Sequence, residues 1–177
     1  MEYLQVFDNN KNMLDEKIER ENKFNLPDGK FFMVVMIFMQ NEKGEFLLQK
    51  ASKEKDGLIA TTGGHVTFGD TSLETAIKEC KEELGIEFAP DDIQFVGTEV
   101  WKRCCLMDIY YTNKTINIDD ITLQKEEVEF IKWYSTDEIE ELINKDEIRK
   151  GNIIPFHRTL EYIKWWLNLV GAIINRP

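Results

Sequence analysis

Glu79, Glu82 and Glu83 place three carboxylates within five consecutive residues. At about 100° per residue they lie about 240°, 180° and 280° round a helix from Leu73, an arc of about 100° on which side chains three and four apart are neighbours. Such a cluster repels itself by a few tenths of a kcal/mol per exposed pair unless a cation sits among the carboxylates. An oxygen-only donor set suits Mg²⁺ or Mn²⁺. The alternative is a solvated acidic face, the usual meaning of a charge run in an acidic chain.

The flanking residues define the element that carries these carboxylates. Leu73, Ala76, Ile77, Cys80 and Leu84 repeat at helical spacing and form one apolar stripe. Thr71 with Glu74 makes a capping-box start, and Gly85 supplies the stop. Upstream, the short β-prone run Leu58–Thr62 leads into Gly63 and Gly64, a turn that can bring main-chain oxygens close to a ligand or can simply reverse the chain.

The whole string Gly64–Ile86, GHVTFGDTSLETAIKECKEELGI, resembles the signature of the Nudix hydrolases, G-x5-E-x7-R-E-U-x-E-E-x-G-U with U aliphatic. Gly64, Glu79, Glu82, Glu83, Gly85 and Ile86 match outright. Asp70 stands where the family has Glu, Lys78 where it has Arg, and Cys80 at an aliphatic position. The resemblance implies an α/β Nudix fold with a mixed β-sheet sandwiched between α-helices. It also implies a metal site of Gly63 (through its carbonyl), Glu79, Glu82 and Glu83, with Glu79, Glu82 and Glu83 catalytic. Gly64, Asp70, Lys78 and Gly85 would brace the motif. An Asp70–Lys78 pair would be the weaker brace, because lysine lacks the planar fork that grips a carboxylate. The acidic run before Trp133 also resembles the family, where a glutamate from that region reaches the metal cluster. Glu127 is the choice here, with Glu126 and Glu129 as rivals. Which glutamate is the general base stays open between Glu79 and one such as Glu127. His65 and Phe68, beside the motif's first residues, are candidates for substrate contact.

Length and composition fit a single unit over residues 1–177, soluble in character at 42% hydrophobic and 31% charged residues. It divides into an extension over 1–30, the motif over 64–86 and a C-terminal helix over about 155–172. The first residues show neither a basic region nor an apolar core of a signal peptide, so a cytoplasmic location is expected. Three cysteines, two of them adjacent, give neither a disulfide framework nor spaced zinc ligands. A net charge of −11 argues against nucleic-acid partners but is compatible with a small phosphorylated substrate that brings divalent cations.

Along the chain, Tyr3–Phe7, Ile93–Trp101, Cys105–Thr112 and the stretch from Val128 read as strands. Phe31–Gln40 is an apolar run of central-strand character, expected to form a hairpin with Glu45–Lys50. Met13–Asn22 has no assignable structure, and Asn113–Lys125 reads as a loop with one weak strand. Ser135 and Glu138 open a further helix, and Pro155 opens the last, with Leu160, Ile163, Trp166, Leu167 and Val170 at helical spacing. That last apolar run is too interrupted for a membrane span; it packs on the sheet or, alternatively, against a second copy. Phe68, Trp101 and Tyr110 are candidates to stack on a base, with core positions expected for at least two.

The function expected from the resemblance is metal-dependent hydrolysis of a diphosphate linkage in a nucleoside diphosphate joined to another group. One alternative is a Nudix-fold binding module without catalysis. The GGHV string also looks closest to the branch similar to isopentenyl-diphosphate isomerase. Isomerase chemistry itself is disfavoured, because Thr61 and Thr62 are not the cysteine it uses and two histidines are too few for its metal site.

Overall fold

The computed structural model describes residues 1–174, with side chains through residue 169. Eight strands and three helices follow in the order β1 Tyr3–Phe7, β2 Met13–Glu19, β3 Phe32–Met39, β4 Phe46–Ala51, β5 Ile59–Ala60, α1 Ser72–Leu84, β6 Gln94–Trp101, β7 Cys105–Thr112, β8 Val128–Tyr134, α2 Thr136–Asn144 and α3 Ile153–Ile174. They build a mixed sheet β3-β7-β6, an antiparallel sheet β5-β4-β8 and a ribbon β1-β2. The architecture is therefore α/β, as expected.

β3 does not form the expected hairpin with β4. It pairs in parallel with β7, from Phe32 opposite Cys105 to Met39 opposite Thr112, while β4 joins the other sheet beside β8. The cause is visible in its composition: a run apolar on both faces is satisfied only between two layers. Met33, Val35, Ile37 and Met39 pack under α1 with Ala76, Cys80 and Leu84. Phe38, on the other face, packs with Phe46, Phe156 and Ile139 beneath α2 and α3. Full burial of a side chain such as Leu84 contributes about 1.5–3 kcal/mol.

α1 starts and stops where the sequence places its signals. Thr71 and Glu74 form a reciprocal capping box, and Gly85 takes the left-handed conformation at φ 69° that lets the next N–H reach back to Cys80. Each such cap contributes about 1 kcal/mol, which fixes the helix register and so the direction of its glutamates.

Three further expectations are corrected. Met13–Glu19 is a strand paired with β1, its exposed charges being those of an edge ribbon. Asn113–Lys125 holds no strand among the described residues; a short 3-10 turn at Ile118–Asp120 lets Ile116, Ile118, Ile121 and Leu123 plug the bottom of the α1 core. α3 begins at Ile153, so Pro155 sits inside its first turn. Leu160 and Ile163 pack on the sheet, Trp165 and Leu167 are exposed, and the side chain of Val170 lies outside the described residues. No helix among the described residues is long and apolar enough to cross a membrane.

Candidate active site

The segment Thr62–Val66 runs as an irregular strand between β1 and β3. Val35 donates to the Gly64 carbonyl at 2.8 Å, Ile37 to that of Thr62 at 3.0 Å, and Gln5 to that of Val66 at 3.0 Å. Thr62 and Gly64 thus spend their carbonyls on β3, and the Gly63 peptide faces the other way, where its N–H donates to the Glu83 carboxylate. Both glycines are demanded by closeness. A Cβ on Gly63 would lie 2.1 Å from the Val35 carbonyl oxygen, and one on Gly64 would lie 1.8 Å from Oε1 of Glu79.

Glu79, Glu82 and Glu83 of α1 and Glu127, at the entry to β8, line one cavity of about 700 Å³ together with Gly63, Gly64 and His65. Glu83 is buried and accepts from Nε2 of Gln49 at 3.0 Å, while the other end of that amide accepts from the Thr62 hydroxyl at 3.3 Å. Burial pushes the Glu83 carboxyl up to about 7 against the opposing hydrogen bonds from Gln49 and Gly63. Glu79 is likewise pushed up to about 7, first by burial and then by the charges of Glu83 and Glu82. Glu82 is exposed at the lip. Glu127 pairs with Nζ of Lys55 at 2.5 Å, whereas its rivals Glu126 and Glu129 are exposed and stand outside the cavity wall.

This donor set fits a hard divalent cation. It is all oxygen, and two of its carboxyls are held against burial and like charge, a cost that a cation would relieve. Among the described residues, no group of three or more acidic, histidine or cysteine side chains is already closed into a metal cage. The carboxylates are gathered by the fold but left unclosed.

The remaining predicted residues divide. The Asp70–Lys78 brace is formed, but long at 3.8 Å and half exposed, with the Thr67 hydroxyl also donating to Asp70. His65 stacks on Phe32 at 5.8 Å between ring centres, and burial, with Arg20, Lys23 and Lys55 nearby, pushes its imidazole down to about 3. It therefore faces the cavity neutral. Phe68 is corrected: it is exposed outside the cavity wall, with the Lys17 ammonium 5.5 Å from its ring. Of the three aromatic candidates, Tyr110 alone is core, bonded to Ser72 at 2.6 Å, while Trp101 lines the cavity. The thiols are inert: all three cysteines are buried and unpaired, and burial pushes Cys105 up to about 12.

Sequence reasoning missed Gln49, Lys55, Arg20, Lys23 and Phe24, all in the cavity wall. Gln49 left one trace, a polar residue in the otherwise apolar run FLLQ. The wall also gathers Lys78, Arg149 and Lys150, so a strongly acidic chain rings its glutamates with cations.

Comparison with known proteins agrees with this geometry. The family model described as the NUDIX domain matches residues 30–156. An uncharacterized Nudix hydrolase of Listeria monocytogenes is 31% identical over 139 residues, 74% of this chain and 76% of that protein. The NAD-capped RNA hydrolase NudC of Pseudomonas aeruginosa is 24% identical over 102 residues, 58% of this chain and only 36% of that protein. The crystal structure of the DR0079 protein of Deinococcus radiodurans superposes with a TM-score of 0.72 at 19% identity, covering 89% of this chain and 98% of that one, which shows the fold. With the motif, the cavity and a family match over most of its length in agreement, the chain belongs to the Nudix hydrolases.

Proposed function

We propose that this Nudix hydrolase cleaves the diphosphate linkage of a nucleoside diphosphate joined to another group, with Mg²⁺ or Mn²⁺ as its cofactor, and that residues 1–30 work as part of the same unit. The observation that carries this reading is the meeting of the Gly63 peptide, Glu79, Glu82, Glu83 and Glu127 in one cavity ringed by cations. Glu82, Glu83, the Gly63 carbonyl and Glu127 would hold the cation. When bound, it supplies neutralisation of diphosphate charge and a lowered pKa for water.

The chain's own groups do the rest. Glu79, lying against Gly64, orients the attacking water and takes its proton on a carboxylate oxygen. Water oxygen joins one phosphorus as the bridging P–O bond breaks, and the electron pair leaves with the departing phosphate. The second assignment, with Glu79 as ligand and Glu127 as base, is favoured by the Lys55–Glu127 pair, which fixes the position of that carboxylate at the cavity wall. The relative named for NAD-capped RNA carries this chemistry on an RNA end, so an acidic charge balance alone does not confine the substrate to free small molecules.

The test is product release from a panel of nucleoside diphosphate derivatives with and without Mg²⁺, in the wild type and in Glu82→Gln and Glu83→Gln. Loss of turnover by about 10²–10³ with the fold intact is expected. Wild-type rates in a variant carrying both substitutions would sink the assignment, and an inactive wild type that still binds nucleotide would favour the binding module.

A further inference from the structure

Residues 1–29 precede the family match, yet Glu2, Arg20, Lys23 and Phe24 line the same cavity as the glutamates. They are held there by the turn after β6. Arg103 donates to the carbonyls of Leu26 at 2.8 Å and Phe24 at 3.4 Å and pairs with Asp28, and the thiol of Cys104 donates to the carbonyl of Lys23 at 3.7 Å. The same turn follows Trp101, so one anchor sets two aromatic side chains in the wall. His65 stacks on Phe32, and the residue before it, Gly64, lies against the Glu79 carboxylate, so it joins this end to the catalytic end.

The wall at this end has a distinct chemistry. The ring of Phe24 is half exposed and meets Phe32 edge to face at 5.5 Å. Nζ of Lys23 stands 5.4 Å from the Phe24 ring centre and 5.9 Å from that of Phe32. Arg20 is answered by Glu2 at 2.6 Å, but among the described residues Lys23 has no carboxylate within ion-pair distance. An uncompensated, partly buried ammonium beside the half-exposed Phe24 ring, which the Lys102 ammonium also approaches to 5.3 Å, is a poor lining for an alkyl chain, which would desolvate the charge and return nothing. It suits a flat ring with acceptor atoms at its edge.

We infer that Lys23, Phe24 and Trp101 form the subsite that receives the nucleobase of the substrate, the base lying against the aromatic rings and its acceptor edge or an adjacent anion facing Lys23. This rests on the hydrolase reading for its substrate class. It adds that the segment before the family match, not the motif, selects the group at that end.

The experiment compares kcat/KM for a nucleoside diphosphate sugar with that for a prenyl diphosphate ester lacking a base, both with Mg²⁺. Base stacking on an aromatic side chain is worth enough that Phe24→Ala should lower the ratio of the two about tenfold, mostly through KM. Lys23→Met should lower it as well, and Lys23→Arg should restore most of it. Equal losses on both substrates, or a wild type that prefers the prenyl ester, would overturn the subsite. If the wild type hydrolyses neither, the hydrolase reading fails separately. Calorimetric binding of a methylene-bridged nucleoside diphosphate analogue then decides: about tenfold weaker Kd in Phe24→Ala supports the subsite, and an unchanged Kd overturns it.

Discussion

The carboxylate of Glu79 occupies the space where Gly64 would carry a side chain, with Oε1 only 1.8 Å from the position of a Cβ. Gly64→Ala would therefore push aside the tip of a flexible side chain. Displacing a reacting group by about 1 Å costs on the order of 10²-fold in rate. Expected for Gly64→Ala are a kcat reduced by about that factor and a melting temperature close to wild type. Gly63→Ala is the contrast, since its Cβ meets the backbone of β3 at 2.1 Å and must open the strand. A thermal melt should show several degrees of loss there. Equal melting losses in the two variants would contradict this division.

Gln49 is the support of Glu83, fixed at both ends of its amide. Removing an outer partner of a ligating carboxylate weakens metal affinity about 10–100-fold in comparable sites. Gln49→Ala should raise the Mn²⁺ dissociation constant into that range, read by electron paramagnetic resonance of free Mn²⁺. A shift below about threefold would remove Gln49 from the site.

The Asp70–Lys78 pair is long and half exposed, and such pairs contribute about 0–1 kcal/mol. Lys78→Ala should lower the melting temperature by no more than about 2–4 °C, the equivalent of 1 kcal/mol in a chain of this size. A differential scanning measurement showing a larger fall would mean that the brace carries more than its geometry suggests.

The pH dependence of the metal-free protein has a definite sign. Glu79 and Glu83 hold their protons to about 7 in the fold against 4.5 ordinarily, so the stability they contribute is complete below 4.5 and is lost as pH rises through 7. His65 works oppositely: at about 3 against 6.5, its contribution is present above 6.5 and is lost as pH falls toward 3. Two groups outweigh one between these limits. In chelator, the wild type should gain melting temperature relative to Glu79→Gln as pH is lowered from 8 to about 5.5, because the variant's neutral amide never carries the buried charge that Glu79 bears at pH 8. Mg²⁺, competing with those protons, should stabilise more at pH 8 than at pH 5.5. A wild-type–variant difference that is flat across this range would refute the assignment.

What could be read in advance follows the range of the forces involved. Thr71, Glu74 and Gly85 act within a few residues, so both ends of α1 were legible, and with them the direction of Glu79, Glu82 and Glu83. Strand partners are chosen over long separations. Phe31–Gln40 announced its burial but not that Cys105–Thr112, about 70 residues on, would lie beside it. Gln49 acquires meaning only when Glu83, 34 residues away, is brought opposite it. Phe24 and Lys23 gave no signal because a short polar turn becomes a cavity wall only through its tether to Arg103. Phe68 misled for the converse reason: closeness to the motif in sequence is not closeness to the cavity.

The ring of lysines and arginines around the glutamates sets the order of arrival. With eleven net negative charges, the molecule repels a free diphosphate on approach, and that repulsion fades within about 10 Å at 0.1 M salt. The same field concentrates divalent cations at the surface. A substrate already carrying its cation crosses the outer repulsion at reduced charge and meets Lys55, Lys78 and Arg149 only once inside. On the proposed function the fold admits its anion by way of the metal, and moderate salt should ease entry before it weakens the grip within.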